Sequence, residues 1–308
     1  MKSKTLRMIK PKPLKKGSKI ALAAPSSHFR REHFDAALQF LISRGYHVSY
    51  QEHVFSREDY LAGSDERRFA EMNEYLSDPE VDAIFMLRGG FGAARMFHLP
   101  IKPFKLSHPK HIWGMSDHTF LLNHIARKHG LITTHAPIIT SEMFRVMPDD
   151  QKHGIFKFLE KKTKQVVKSP EIEVIQKGNA KGKLWGGNLS MLQTTLGTPF
   201  ENDWKKCILF LEDTNEMEYR LDRIFAHLYL SGHLQKISGL ILGDFTDKEN
   251  KEHAMPFLQR MIRRYVPKDI PVIARLKAGH INGHVILPIG GQVAIKNNGR
   301  TLEIDSIV

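Results

Sequence analysis

Between residues 18 and 135 the chain repeats one unit, an apolar run of strand length followed by an amphipathic helix. SKIALAAP reads as a buried strand. Phe34, Ala37, Leu38, Leu41 and Ile42 then recur at helical spacing between Arg30 and Arg44, and Gly45 supplies the stop. YHVSYQ is a second strand, and SDERRFAEMNEYLSD is a helix opened by Ser64 and Asp65. VDAIFMLR leads into the glycine turn GGFG and a short helix through Arg95. HIWGM is followed by a helix from about Asp117 to Lys128, ended by Gly130, and then by the short strand LITTH. Strand–helix units of this length imply a parallel sheet with right-handed crossovers.

The pattern changes near residue 140. A helical stretch and the lysine-rich KKTKQVVKSPEIEV read as a connector with one exposed strand. Beyond it AKGKLWGG, CILFLED, ISGLILGDF, IPVIARL and HVILPIGG read as strands, with helices at about 188–197, 219–231 and 253–265 between them. The expected organisation is a basic tail over 1–16, an α/β domain over 17–140, a connector over 141–175 and a second, smaller α/β domain over 176–308. The fold class is α/β, with an N-terminal parallel sheet of flavodoxin-like or Rossmann-like type.

Composition narrows the function classes. The chain is 41% hydrophobic and 26% charged, the balance of a soluble globular protein. No apolar run approaches the ~18 residues that span a bilayer. The basic start, MKSKTLRMIKPKPLKKGSK, has no apolar segment behind it of the kind a secretory signal needs, so a cytoplasmic setting without a membrane partner is expected. Cys207 is the only cysteine, which excludes an internal disulfide and any cysteine-built metal site. The formal charge of +13 suits an anionic ligand, yet the basic residues are dispersed apart from the tail and Lys152–Lys183. No zinc finger, aromatic RNA-binding motif or helix-turn-helix accompanies them, so nucleic acid is not the expected partner.

In an open α/β sheet the working groups gather beyond the carboxyl ends of the strands. Three turns stand there, LRGGFGAAR at 87–95, GMSDHT at 114–119 and LEDTNEMEYR at 211–220, and AGHINGH follows at 278–284. Ser116 admits two readings. It is either the cap of a helix or a nucleophile lifted on a sharp strand-to-helix turn, where the amide of Asp117 helps to hold an oxyanion. His118 occupies the last glycine position of G-x-S-x-G, which counts against an ordinary α/β-hydrolase. GGFG is either a tight turn or a loop of amide donors. Arg95 stands where a dinucleotide site requires glycine or alanine. Glu212 and Asp213 are either a helix-start acid cluster or a source of a carboxylate that orients a histidine. His280 is one of 17 histidines. A metal site built on His280 and His284 is the poorer reading, because Asn282-Gly283 between them signals a turn.

Taken together, GSKIALAAPSS, AIFMLRGGFGAARM, IWGMSDHTFLLNHI, TTHAPI, GGNLSMLQTTLGTP, ILFLEDTNEMEYRLDRI and GHINGHVILPIGG resemble the LD-carboxypeptidase family of serine peptidases, which includes microcin-immunity peptidases. The resemblance spans about residues 17–295. It implies Ser116 as nucleophile, Glu212 as orienting carboxylate and His280 as general base, with the backbone of Gly90 and Asp117 at the oxyanion. It further implies a cleft between the two domains, no cofactor or metal, and a homodimer. The substrate is then a peptidoglycan tetrapeptide that loses its terminal D-alanine. Arg88, Trp185 and Asn188 are candidate substrate contacts, each with a structural alternative: a surface charge, a core aromatic and a helix cap. Met115, Ala136 and His284 depart from the family's usual pattern and bear on pocket shape. Cleavage of peptidyl-nucleotide conjugates, and a non-catalytic binding role on the same scaffold, are the alternatives.

Overall fold

The computed structural model describes residues 7–98, 103–246, 249, 255–281, 283 and 285–308. The repeated units form β1 (Lys19–Ala23), α1 (Arg31–Ser43), β2 (His47–Ser49), α2 (Asp65–Ser77), β3 (Ala83–Met86), β4 (His111–Gly114), α3 (Thr119–His129) and β5 (Thr133–His135). Ser64 caps α2 by accepting the Arg67 amide, and Gly130 ends α3 at φ +65°. The five strands pair in parallel in the order β2-β1-β3-β4-β5, a doubly wound arrangement. Two helices, α4 (Glu142–Val146) and α5 (Asp149–Glu160), follow. Phe144 and Phe156 from these helices join Ile20, Leu22, Phe85 and Trp113 in one apolar cluster against the first sheet.

The remaining elements are β6 (Gln165–Lys168), β7 (Glu173–Gln176), β8 (Ala180–Asn188), α6 (Leu189–Gln193), β9 (Ile208–Asp213), α7 (Glu218–Leu230), β10 (Gly239–Phe245), α8 (Met255–Tyr265), β11 (Val272–Ala274), β12 (Leu287–Ile289), β13 (Gln292–Lys296) and β14 (Thr301–Ile304). Apart from β12, these strands build an eight-stranded mixed sheet ordered β6-β14-β13-β8-β9-β10-β11-β7, with β8 to β11 parallel. Among the described residues no helix is long and apolar enough to cross a membrane.

The sheets do not divide the chain at the boundaries expected from the sequence. The stretch read as a connector supplies both edge strands of the second sheet, β6 and β7, rather than one exposed strand. HVILPIGG, read as part of the second domain, contains β12, which returns to the first sheet and pairs antiparallel with β5. Leu287 and Ile289 are fully buried there. Local periodicity identifies such a run as a strand but is silent on which edge it will cover.

The halves are stapled where α3 crosses β8. The Asn123 side chain donates to the carbonyls of Thr119 (2.7 Å) and Gly186 (2.8 Å) and accepts from Asn202 Nδ2 (2.7 Å) and the Gly186 amide (3.3 Å). Thr119 Oγ1 accepts the amide of Asn188 at 3.0 Å. Asn123 is 2% exposed, so truncating it strands several buried polar groups at about 1–3 kcal/mol apiece. Asn123→Ala is expected to lower stability by about 2–4 kcal/mol, read as a lower urea midpoint, whereas a change within error would contradict the role given to this joint.

Candidate active site

The turn after β4 does not hold Ser116 as a helix cap. An N-cap residue has extended backbone geometry. Ser116 instead has φ +62°, in the left-handed region, and opens a single 3-10 turn that runs to His118 before α3 begins. Its side chain caps neither segment. A non-glycine residue held there costs on the order of 1–3 kcal/mol and persists only where its surroundings impose it.

Those surroundings are specific. Gly89 lies so close that a Cβ on it would stand 2.8 Å from Ser116 Cβ and 2.9 Å from Oγ. Any side chain at Gly89 would displace the serine. Asp117 is fully buried, and its Oδ2 accepts from Ser26 Oγ (2.6 Å) and the Ala93 amide (2.8 Å). Burial, partly offset by these donors and by nearby Arg68, raises its carboxyl to about 6. Arg68, also fully buried, donates to the carbonyls of Pro25 (2.6 Å) and Gly92 (2.7 Å) and pairs with Asp65. The loops after β1, β3 and β4 are thereby tied into one rigid unit. His118 packs its ring against Gly114, where a Cβ would stand 2.6 Å from Nδ1. Its Nε2 lies 2.8 Å from the Arg88 carbonyl, and burial lowers its pKa to about 4, so it is neutral at pH 7 and donates that bond.

The second sheet brings the other two groups. Glu212, one residue before the end of β9, lies beside Asn188 of β8 and is completely buried. His280, in the loop after β11, points Nδ1 at Glu212 Oε2 at 2.7 Å. Burial opposes ionisation of the glutamate, but the charge and hydrogen bond of His280, with His135 nearby, outweigh it and hold the carboxyl at about 2. Burial likewise opposes the imidazolium, yet Glu212, aided by Asp213 and Asp244, raises the His280 pKa above 6.5. This is the electrostatics of an oriented histidine beside a permanent anion.

Ser116 and His280 line one cavity of about 390 Å³, and Arg88, Gly90 and Asn188 share its wall. Gly90, at φ +90°, sits at the rim, where a Cβ would strike Ser27 Oγ. Asn188 is a helix cap, accepting the Met191 amide at 3.1 Å, and also donates to Asp213 Oδ1 at 2.9 Å. Trp185 lies apart from this group. It is 7% exposed, packs in the core, and is absent from the cavity wall among the described residues. His284 and Asn282 lie outside the described residues.

Asp213, read from the sequence only as part of an acid cluster with Glu212, accepts from Ser190 (amide 2.9 Å, Oγ 2.7 Å) and the Thr214 amide (2.9 Å), and so shapes the cavity's second wall. The sequence reading missed Ser26 and Arg68, which meet Asp117 only through the fold, because no spacing rule links residue 26 to residue 117.

Comparison with known proteins follows the same division. Residues 20–136 match the LD-carboxypeptidase N-terminal domain and residues 181–295 the LD-carboxypeptidase C-terminal domain. The probable murein peptide carboxypeptidase of Bacillus subtilis is 33% identical, over 96% of this chain and 94% of that protein. The murein tetrapeptide carboxypeptidase of Pseudomonas aeruginosa is 29% identical, over 91% and 94%. Among solved structures, the muramoyltetrapeptide carboxypeptidase of Oxalobacter formigenes superposes with a TM-score of 0.75 at 28% identity, over 93% of this chain and 98% of that one. The microcin C7 self immunity protein MccF, in its wild-type apo state, shares the fold with a TM-score of 0.84 at 23% identity, over 96% and 98%. Two matched domains and full-length relatives on both sides of the cleft establish that this chain belongs to the LD-carboxypeptidase family.

Proposed function

We propose that the protein is a serine-type LD-carboxypeptidase that removes the terminal D-alanine from peptidoglycan-derived tetrapeptides. The observation that carries this reading is the 2.7 Å His280–Glu212 hydrogen bond at a cavity that a serine held at φ +62° also lines. Names of relatives support the substrate class: murein peptide and murein tetrapeptide carboxypeptidases.

In the proposed mechanism His280, oriented by Glu212, accepts the Ser116 proton as the hydroxyl oxygen attacks the amide carbon. The backbone amides of Gly90 and Asp117 stabilise the tetrahedral oxyanion, each well-placed donor contributing about 3 kcal/mol. The intermediate collapses, the C–N bond breaks, and His280 returns the proton to the departing amine. Water, deprotonated by the same histidine, then releases the acyl group and restores the serine. Arg88, exposed on the cavity wall, suits the carboxylate of the terminal residue.

Hydrolysis of a peptidyl-nucleotide, suggested by the likeness to MccF, is the weaker reading. Trp185, the residue that reading would stack on a base, is 7% exposed and does not line the cavity among the described residues. A purely binding role leaves the strain at Ser116 without a purpose.

Purified protein incubated with UDP- or anhydromuramyl-tetrapeptide is expected to release free D-alanine, and Ser116→Ala to reduce the rate by about 10⁴-fold or more. Turnover of an aminoacyl-adenylate analogue without D-alanine release would reverse the ranking. The pH profile offers a separate check. The base must be neutral, and His280 is raised in the folded protein, so kcat/KM should climb with pH through an inflection above 6.5. Glu212→Gln removes the anion that raises it. The inflection should then fall, with kcat reduced about 10³-fold or more; an unmoved inflection would exclude His280–Glu212 as the titrating pair.

A further inference from the structure

Two buried polar atoms outside the proposed proton path face each other where the sheets meet. His135 Nε2 and Glu212 Oε1 are both sealed from solvent, and neither has a hydrogen-bond partner among the described residues. They stand 3.9 Å apart. Groups of this kind are rare in folded proteins and call for an explanation. Closing the gap by about 1 Å makes a normal hydrogen bond, and contacts in catalytic sites commonly tighten when substrate arrives.

The position of His135 fits such a role. It ends β5, paired on one side with Gly114, two residues before the serine, and on the other with Leu287 of β12. The edge of its ring meets Phe210 of β9 at 5.1 Å, which limits how the imidazole can turn. His135 is thus the first-sheet residue that reaches the carboxylate carried by the second.

We propose that His135 is a positioning residue. It carries its proton on Nε2, directs it at Glu212 Oε1, and fixes the carboxylate in the plane from which Oε2 receives the Nδ1–H of His280. The inference rests on reading Glu212 as the orienting carboxylate. It adds a second histidine, one that touches neither substrate nor serine. The titratable groups around the pair are His280 in its loop and Asp213 on β9, which act on Glu212, with Asp244 on β10 acting on His280 behind them.

The test uses the full chain labelled with ¹⁵N-histidine. Nitrogen shifts near neutral pH should report His135 as the Nε2–H tautomer, its signals assigned by their loss in His135→Gln; the Nδ1–H tautomer would overturn the proposal without any variant needing to be active. In kinetics on the tetrapeptide, His135→Phe keeps the packing but loses the donor. It should lower kcat about 10- to 100-fold with KM within about twofold, and weaken the downfield Nδ1 proton signal of His280. His135→Gln, which retains an N–H, should recover most of both. A phenylalanine variant that folds and matches wild-type kcat would sink the idea; if it does not fold, the tautomer and the glutamine variant decide. Absence of D-alanine release by the wild type would count against the proposed substrate, while the tautomer would still judge His135.

Discussion

The register between α3 and β8 sets everything at the cleft. At that crossing two consecutive glycines, Gly186 and Gly187, let the helix approach the strand backbone closely. A Cβ on Gly187 would lie 2.5 Å from Thr119 Oγ1. Asn123 and Thr119 then satisfy the strand's backbone groups from the helix side. One end of α3 carries Ser116, and β8 lies in register with β9, where Asn188 pairs with Glu212. A contact between a helix of one sheet and a strand of the other therefore fixes the distance between Ser116 and Glu212. Sliding this joint by a turn of helix would move the serine about 5.4 Å, far beyond the tolerance of an oriented attack.

Around that joint the polar groups are arranged in two buried sets with different tasks. On the first-sheet side, Asp117, Ser26 and Arg68 bind three loops together and hold the serine in a backbone conformation it would not adopt alone. On the second-sheet side, Glu212 keeps its charge despite complete burial because histidines surround it. The first set supplies rigidity and the second supplies electrostatics. Both follow from the same rule: a buried charge must be hydrogen-bonded and paired, or it neutralises.

The alternation of strand and helix was legible because each unit buries one face, and the periodicity records which face. β1 to β5 and α1 to α3 accordingly fall close to where the apolar spacing puts them. The later part was harder. β6, β7 and β12 are short runs whose partners lie far along the chain, and nothing in a four-residue strand states which sheet edge it will cover. Ser116 was ambiguous for a related reason. Serine before a helix satisfies the composition of a cap and of a nucleophile turn alike, and only the folded backbone, with Ser116 at φ +62°, departs from the extended geometry of a cap. Trp185 shows the opposite case, an aromatic whose residue type suits a ligand contact but whose position in β8 turns it into the core.

What the sequence determined by itself is the class of fold and the supply of chemistry: parallel strand–helix units, glycine turns at strand ends, a serine, a glutamate and a histidine in segments of a recognisable family. These are local properties, written in residue type and spacing. The tertiary structure alone decided that Ser116 and His280 line one cavity with Glu212 buried behind the histidine, that β12 returns to the first sheet, and that His135 faces Glu212. Such facts depend on bringing together residues up to 164 positions apart, as Ser116 and His280 are, which happens when two sheets pack and which no local pattern encodes.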